Sequence, residues 1–175
     1  MMDIPEQLQD LPANGGIYAV WMVFQHYGVD LEINDLVKLC RHNEEEGTST
    51  ISLAVALQQL GLNVSFYTDL DLDLQPTEQW FYQKASEMNI SIEAAIKYDQ
   101  ILQATEQGKF VIAYYDTLEG VGNHSLIYSA DLDEVCFFDS FDAMPVDVFE
   151  QQRQVEGICR QVIIIDDRDF IGQGT

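Results

Sequence analysis

One segment restricts this chain more than any other. Gly15 to Tyr27 is apolar around its whole circumference: Ile17, Val20, Trp21 and Phe24 fall at i, i+3, i+4 and i+7, and Tyr18, Ala19, Met22 and Val23 fill the remaining directions. A helix with no polar face is stable only when other elements surround it. The segment therefore predicts a helix through the middle of a domain, ended by Gly28 as its C-terminal cap. A chain of 175 residues, 47% hydrophobic, can bury such a helix in one domain spanning residues 1–175.

The elements around that helix follow from periodicity and punctuation. Ile33, Leu36, Val37 and Cys40 form the apolar stripe of a helix over about Asn34 to Arg41. Thr48, Ser49, Thr50 and Ser52 offer N-caps for a third helix running to Leu60 and closed by Gly61. Asn63 to Tyr67 reads as a short strand, Pro76 to Met88 and Tyr98 to Gln107 as helices, and Ile90 to Lys97 as either. The character then changes. Phe110 to Tyr115, His124 to Ala130, Val135 to Asp139 and Ile158 to Ile165 read as strands, with a helix over Val146 to Gln154. Helices crowd the first part and strands the last, which predicts an α+β fold with N-terminal helices packed on a C-terminal, mostly antiparallel sheet. Met1 to Asn14, polar and holding Pro5 and Pro12, reads as an extended lead-in. Val155 to Thr175 reads as a final strand and a loose acidic tail.

Charge narrows the partners. Thirty acidic residues against eight basic ones give −22. Such a field repels nucleic-acid phosphates and attracts a basic peptide or protein, although solubility alone also accounts for it. Asp69, Asp71 and Asp73 match the first positions of a calcium loop, but Leu74 and Trp80 stand where glycine and glutamate are needed, so an exposed edge or loop is expected. Cys40, Cys136 and Cys159 are widely spaced and form no CxxC pair, so neither disulfides nor a thiolate metal site is indicated. No cofactor is implied. No apolar run would span a bilayer, and Met1 to Asp10 lacks a signal-peptide pattern. A cytoplasmic location is expected.

Certain motifs carry a resemblance. Gln9 stands six residues before Gly15, within Asn14-Gly15-Gly16, and the apolar helix ends at Tyr27-Gly28. Gly47-Thr48-Ser49 precedes another apolar helix that ends at Leu60-Gly61. Lys109 to Ala113, Gly122 to Ile127 and Val135 to Ser140 follow in order. Over about Gln9 to Glu150 the chain resembles the papain-like cysteine peptidases that cleave double-glycine leaders from bacteriocins. The resemblance implies His124 as the active-site histidine, Asp139 as the aspartate that orients it, Gln9 as the oxyanion-hole amide and Gly15 at the place of the nucleophilic cysteine. Asn14, Gly16 and Asn123 would border a binding groove.

Such chemistry needs a thiolate, whose pKa falls at a helix N-terminus and beside an imidazolium. The nucleophile therefore belongs at the first turn of the buried helix, where this chain has Gly15. Glycine carries no nucleophile, so the resemblance implies the fold and opposes the activity. Degenerate members of the family occur on toxin exporters, where the resemblance suggests cargo binding. Three readings follow: a catalytically inactive homologue that binds an extended peptide; a hydrolase or acyltransferase using another thiol, such as Cys40 or Cys136; and an acidic interaction or immunity-type protein for a basic partner. His26 and His42 read as structural or surface residues.

Overall fold

The lead-in departs from its expected extended form by one turn of helix, α1 (Glu6–Gln9), in the computed structural model, which describes residues 3–117, 122–140 and 142–167. Pro5 enters that turn at φ −56°, a value already suited to helix. Leu8 anchors it with no exposed surface. The apolar segment forms α2 (Gly15–His26). Ile17, Val20 and Val23 are completely buried and Trp21 and Phe24 are 1% exposed. Each large aliphatic or aromatic side chain removed from water in this way contributes about 1.5–3 kcal/mol. Gly28 follows at φ +71°, the left-handed conformation that ends a helix.

Helix α3 (Ile33–Leu39) is capped by the Glu32 carboxylate, which accepts from the backbone N–H groups of Asn34 and Asp35. Helix α4 (Thr50–Gln59) starts at Ser49, whose hydroxyl accepts from the Ser52 N–H. Strand β1 (Asn63–Thr68) leads into an exposed loop, as expected for the alternating Asp-Leu stretch, with Leu70 83% and Leu72 89% exposed. Helix α5 (Pro76–Glu87) begins with a Gln75–Glu78 capping box. The ambiguous stretch that follows contains an edge strand, β2 (Ser91–Ala94). Then come α6 (Tyr98–Glu106), β3 (Phe110–Asp116), β4 (Gly122–Ala130), β5 (Glu134–Phe137), β6 (Met144–Pro145), α7 (Val146–Arg153) and β7 (Val162–Asp166).

The last strand starts four residues later than its apolar run suggests, because Gly157, Cys159 and Arg160 all adopt positive φ and hold the chain in turns up to Gln161. The expected acidic tail falls largely on residues 168–175, outside the described residues. Among the described residues no helix is long and apolar enough to cross a membrane.

The strands form one sheet in the order β2-β1-β7-β3-β4-β5-β6. Only β1 and β2 pair in parallel; the other neighbours are antiparallel. This is the expected mixed α+β architecture, with helices on both faces of the sheet. Side chains on successive residues of a strand point to opposite faces. Ile112, Leu126, Ile163 and Ile165 pack with α2, α3 and α4, while Val111, Ala113, Tyr115, Ile127 and Val162 pack with α6 and α7. The same alternation sorts the polar residues of β4.

Candidate functional site

The N-terminus of α2 meets the start of β4. Two glycines make that approach possible. A Cβ placed on Gly15 would collide with the Asn123 side-chain oxygen and lie 2.9 Å from the His124 carbonyl oxygen. A Cβ placed on Gly16 would stand 2.9 Å from a Leu53 methyl and 3.5 Å from His124 Nδ1. Gly15 thus sits against Asn123, and Gly16 against the imidazole. Asn14, just before the helix, donates from Nδ2 to the Leu8 carbonyl at 2.8 Å and ties α1 to α2.

A third segment closes the site. Asn43 and Gly47 exchange backbone hydrogen bonds across a tight loop, with Gly47 at φ +82°. A Cβ there would come within 3.3 Å of the Ala13 carbonyl oxygen. His42 fastens the loop: Nε2 lies 2.8 Å from the Pro12 carbonyl and Nδ1 lies 2.7 Å from Thr48 Oγ1. A carbonyl can only accept, so Nε2 carries the proton, and in the neutral ring Nδ1 accepts from Thr48. The structural reading of His42 from sequence holds.

On β4, alternation divides the polar residues. His124 is 5% exposed and turns towards α4, where Nε2 lies 2.8 Å from Thr50 Oγ1. Tyr114 of the neighbouring strand stacks on the ring at a centroid distance of 4.3 Å. Burial pushes the His124 pKa down to about 3, so the imidazole is neutral at physiological pH. Asn123 and Ser125 join a different network. Asn123 Nδ2 donates to Tyr115 Oη at 3.3 Å and to Ser125 Oγ at 3.2 Å, and Ser125 Oγ donates to Asp139 Oδ2 at 3.1 Å. Burial raises the Asp139 carboxyl above its usual value, and the hydrogen bonds from Ser125 and Asn123 oppose that shift. Asp139 as a whole reaches solvent, which limits the effect.

Asn14, Gly15, Gly16, Asn123 and His124 therefore come together, lining a cavity of about 300 Å³. Gln9 and Asp139 are not part of that lining. Gln9 Nε2 donates to the Ile4 carbonyl at 2.7 Å, and the Asp139 carboxylate is held by Ser125 while the imidazole is held by Thr50. Sequence reasoning considered Thr50 only as a cap and did not single out Tyr114 or Ser125. A signal for Thr50 was present: four hydroxyl residues crowd one helix start that needs a single cap, and Ser49 supplies it. The thiols lie elsewhere. Cys40 is fully buried, with its pKa pushed up to about 12, and Cys136 sits on β5 opposite Ser129. Among the described residues no cluster of three or more His, Cys, Asp or Glu side chains could hold a metal ion.

A buried helix set end-on against a histidine-bearing antiparallel sheet is the frame of a papain-like cysteine peptidase. A model of the Peptidase C39 family matches residues 7–114, more than half of the chain, and the chain belongs to that family. The crystal structure of the peptidase domain of Streptococcus ComA, a bi-functional ABC transporter involved in a quorum-sensing pathway, is similar in fold. Its TM-score is 0.53 at 13% identity, covering 87% of this chain and 90% of that one. No curated protein matches the chain. The family match ends ten residues before His124, so the likeness over β4 and β5 comes from the fold comparison.

Proposed function

We propose that this chain is a catalytically inactive member of its peptidase family that binds an extended peptide without cleaving it. The observation that carries the reading is the occupation of the nucleophile's place. Position 15 has no side chain, and the Asn123 amide and the His124 carbonyl stand where a Cβ would be. Covalent catalysis by this fold needs a thiolate on the helix start, an imidazole to take its proton and a third group to orient that imidazole. Here the first is missing. The imidazole is neutral and bonded to Thr50, and the carboxylate is engaged by Ser125.

Binding survives that loss. The 300 Å³ cavity is lined by Gly15 and Gly16 together with the Asn14 and Asn123 amides and the His124 imidazole, polar groups of the kind that hydrogen-bond a peptide backbone. By analogy with the peptidase domain of ComA, whose fold it shares, the ligand would be a peptide segment. Hydrolysis through another thiol is opposed by placement, since Cys40 is in the core and neither Cys136 nor Cys159 lines the cavity.

The test is incubation of the full chain with a fluorescent peptide containing a double-glycine step, read by anisotropy and mass spectrometry. The expected result is saturable binding with the peptide recovered intact. Cleavage at a defined bond would sink the reading.

A further inference from the structure

Helix α2 starts with its donors unused. The first N–H groups of a helix have no acceptor inside it and point out along its axis. The Tyr18 N–H reaches the Asn14 carbonyl, but those of Gly15 and Gly16 meet no acceptor among the described residues, and Asn14 provides no side-chain cap. Both glycines line the cavity of about 300 Å³, at the lower end of the range of ligand clefts, about 300–1,000 Å³.

His124 brings an independent sign of a missing ligand. It is 5% exposed and lines the same cavity. Its Nε2 edge faces Thr50, which is not on that lining, and its Nδ1 edge faces Gly16, which is. Nδ1 has no hydrogen bond among the described residues, while Nε2 lies 2.8 Å from Thr50 Oγ1. The Thr50 hydroxyl is 2% exposed and has no acceptor but Nε2 among the described residues. A buried hydroxyl keeps its donor matched, so Thr50 donates to Nε2. In the neutral ring the proton then stands on Nδ1, which becomes a third donor beside the two glycine N–H groups.

We infer that the start of α2 and His124 Nδ1 together bind the free C-terminal carboxylate of a peptide. The inference rests on the peptide-binding reading and adds that the site holds the end of the chain. An internal peptide carbonyl offers two lone pairs and no charge, whereas a carboxylate offers two oxygens with four acceptor sites. A helix N-terminus favours the negative group, and each N–H bond to it is charge-assisted. No acidic residue stands in the first turn of α2 to oppose it. Asn123 gives its Nδ2 to Tyr115 and Ser125 and turns Oδ1 towards Gly15, an acceptor for the N–H of the ligand's last residue. Glu45 and Glu46 also line the cavity, but both are exposed, so solvent screens their repulsion.

The experiment uses the full chain and three fluorescein-labelled peptides that share a Gly/Ala/Ser segment followed by Gly-Gly. One ends there as the free acid, one ends there as the carboxamide, and one continues through further residues to a carboxamide. By anisotropy the free acid is expected to bind at least about tenfold more tightly than either of the others (about 1.4 kcal/mol). It should also shift the Gly15 and Gly16 amide signals in nitrogen-15 NMR spectra of the wild-type protein. In His124→Phe, which keeps a ring to stack on Tyr114 and removes the donor, the preference for the acid should be largely lost, with folding checked by circular dichroism. Equal affinity for acid and carboxamide overturns the carboxylate requirement and leaves peptide binding standing. Unmoved Gly15 and Gly16 signals, or a full preference in folded His124→Phe, overturn it too, because the carboxylate is then held elsewhere. Failure of every peptide to bind overturns the peptide-binding reading and this inference together.

Discussion

Glycine at position 15 is a packing requirement. The Asn123 amide fills the space and is held there by Tyr115 and Ser125. Restoring a thiol by Gly15→Cys should therefore lower stability by about 1–3 kcal/mol, the usual range for forcing atoms into a filled site, and should give no peptide cleavage. Denaturant unfolding and a cleavage assay check both parts; turnover by the single variant would show that Asn123 yields easily.

His124 makes a second prediction at this scale. Its folded pKa of about 3 lies below the ordinary value near 6.5. Between those values the unfolded chain binds a proton that the folded chain does not, so the folded state loses stability as pH falls. The contribution is fully present above about pH 6.5 and declines towards pH 3, by about 3 kcal/mol between pH 6.5 and pH 4. Asp139, with its raised carboxyl, acts with the opposite sign, so the comparison must isolate the histidine. The stability difference between wild type and His124→Gln, followed by denaturant unfolding, should shift by that amount over that window; a pH-independent difference would show that the imidazole is not buried neutral.

At the scale of elements, the site depends on how α2, α4 and β4 are pressed together, and on what holds the other face of the sheet. Arg153 is decisive there. It ends α7 with no exposed surface, bonding Glu150 at 2.6 Å, the Ile96 carbonyl at 2.9 Å and the Arg160 carbonyl at 3.2 Å. The guanidinium thus pins α7 to the segment before α6 and to the turn before β7. Arg153→Met keeps much of the volume but strands those acceptors, and should destabilise by about 3–5 kcal/mol, measured by urea unfolding. A loss below 1 kcal/mol would mean that water replaces the guanidinium.

Helices α2 and α4 and strands β3 and β4 were legible in the sequence because their apolar periodicities are long and carry terminal signals. Strand β2 was not. All four of its residues are exposed, so its strand state comes from pairing with β1 and not from an apolar pattern. The left-handed turns at Cys159 and Arg160 were equally hidden, since neither residue type announces a positive φ.

At the scale of the whole molecule, the charge of −22 is a standing cost to compactness. Screening by salt should relieve it. The thermal unfolding midpoint is expected to rise steadily as sodium chloride increases from low to physiological concentration and beyond. A midpoint that stays flat or falls would mean that the acidic side chains are spaced widely enough not to repel.

Local periodicity was enough to indicate the central helix, whereas the family, and with it the meeting of Gly15–Gly16 with Asn123–His124, was indicated by the resemblance that the order of the motifs carries. The glycine at position 15 is likewise a statement of sequence alone. Tertiary structure decided the partners. His124 lies on β4 and Asp139 in the turn just after β5, which ends at Phe137 and not at the aspartate as expected, yet alternation along β4 turns the imidazole towards Thr50 on α4 and leaves the carboxylate with Ser125. Which face of β4 looks towards α4 depends on how helices are shared between the two sides of the sheet, a long-range balance of burial that no local pattern records.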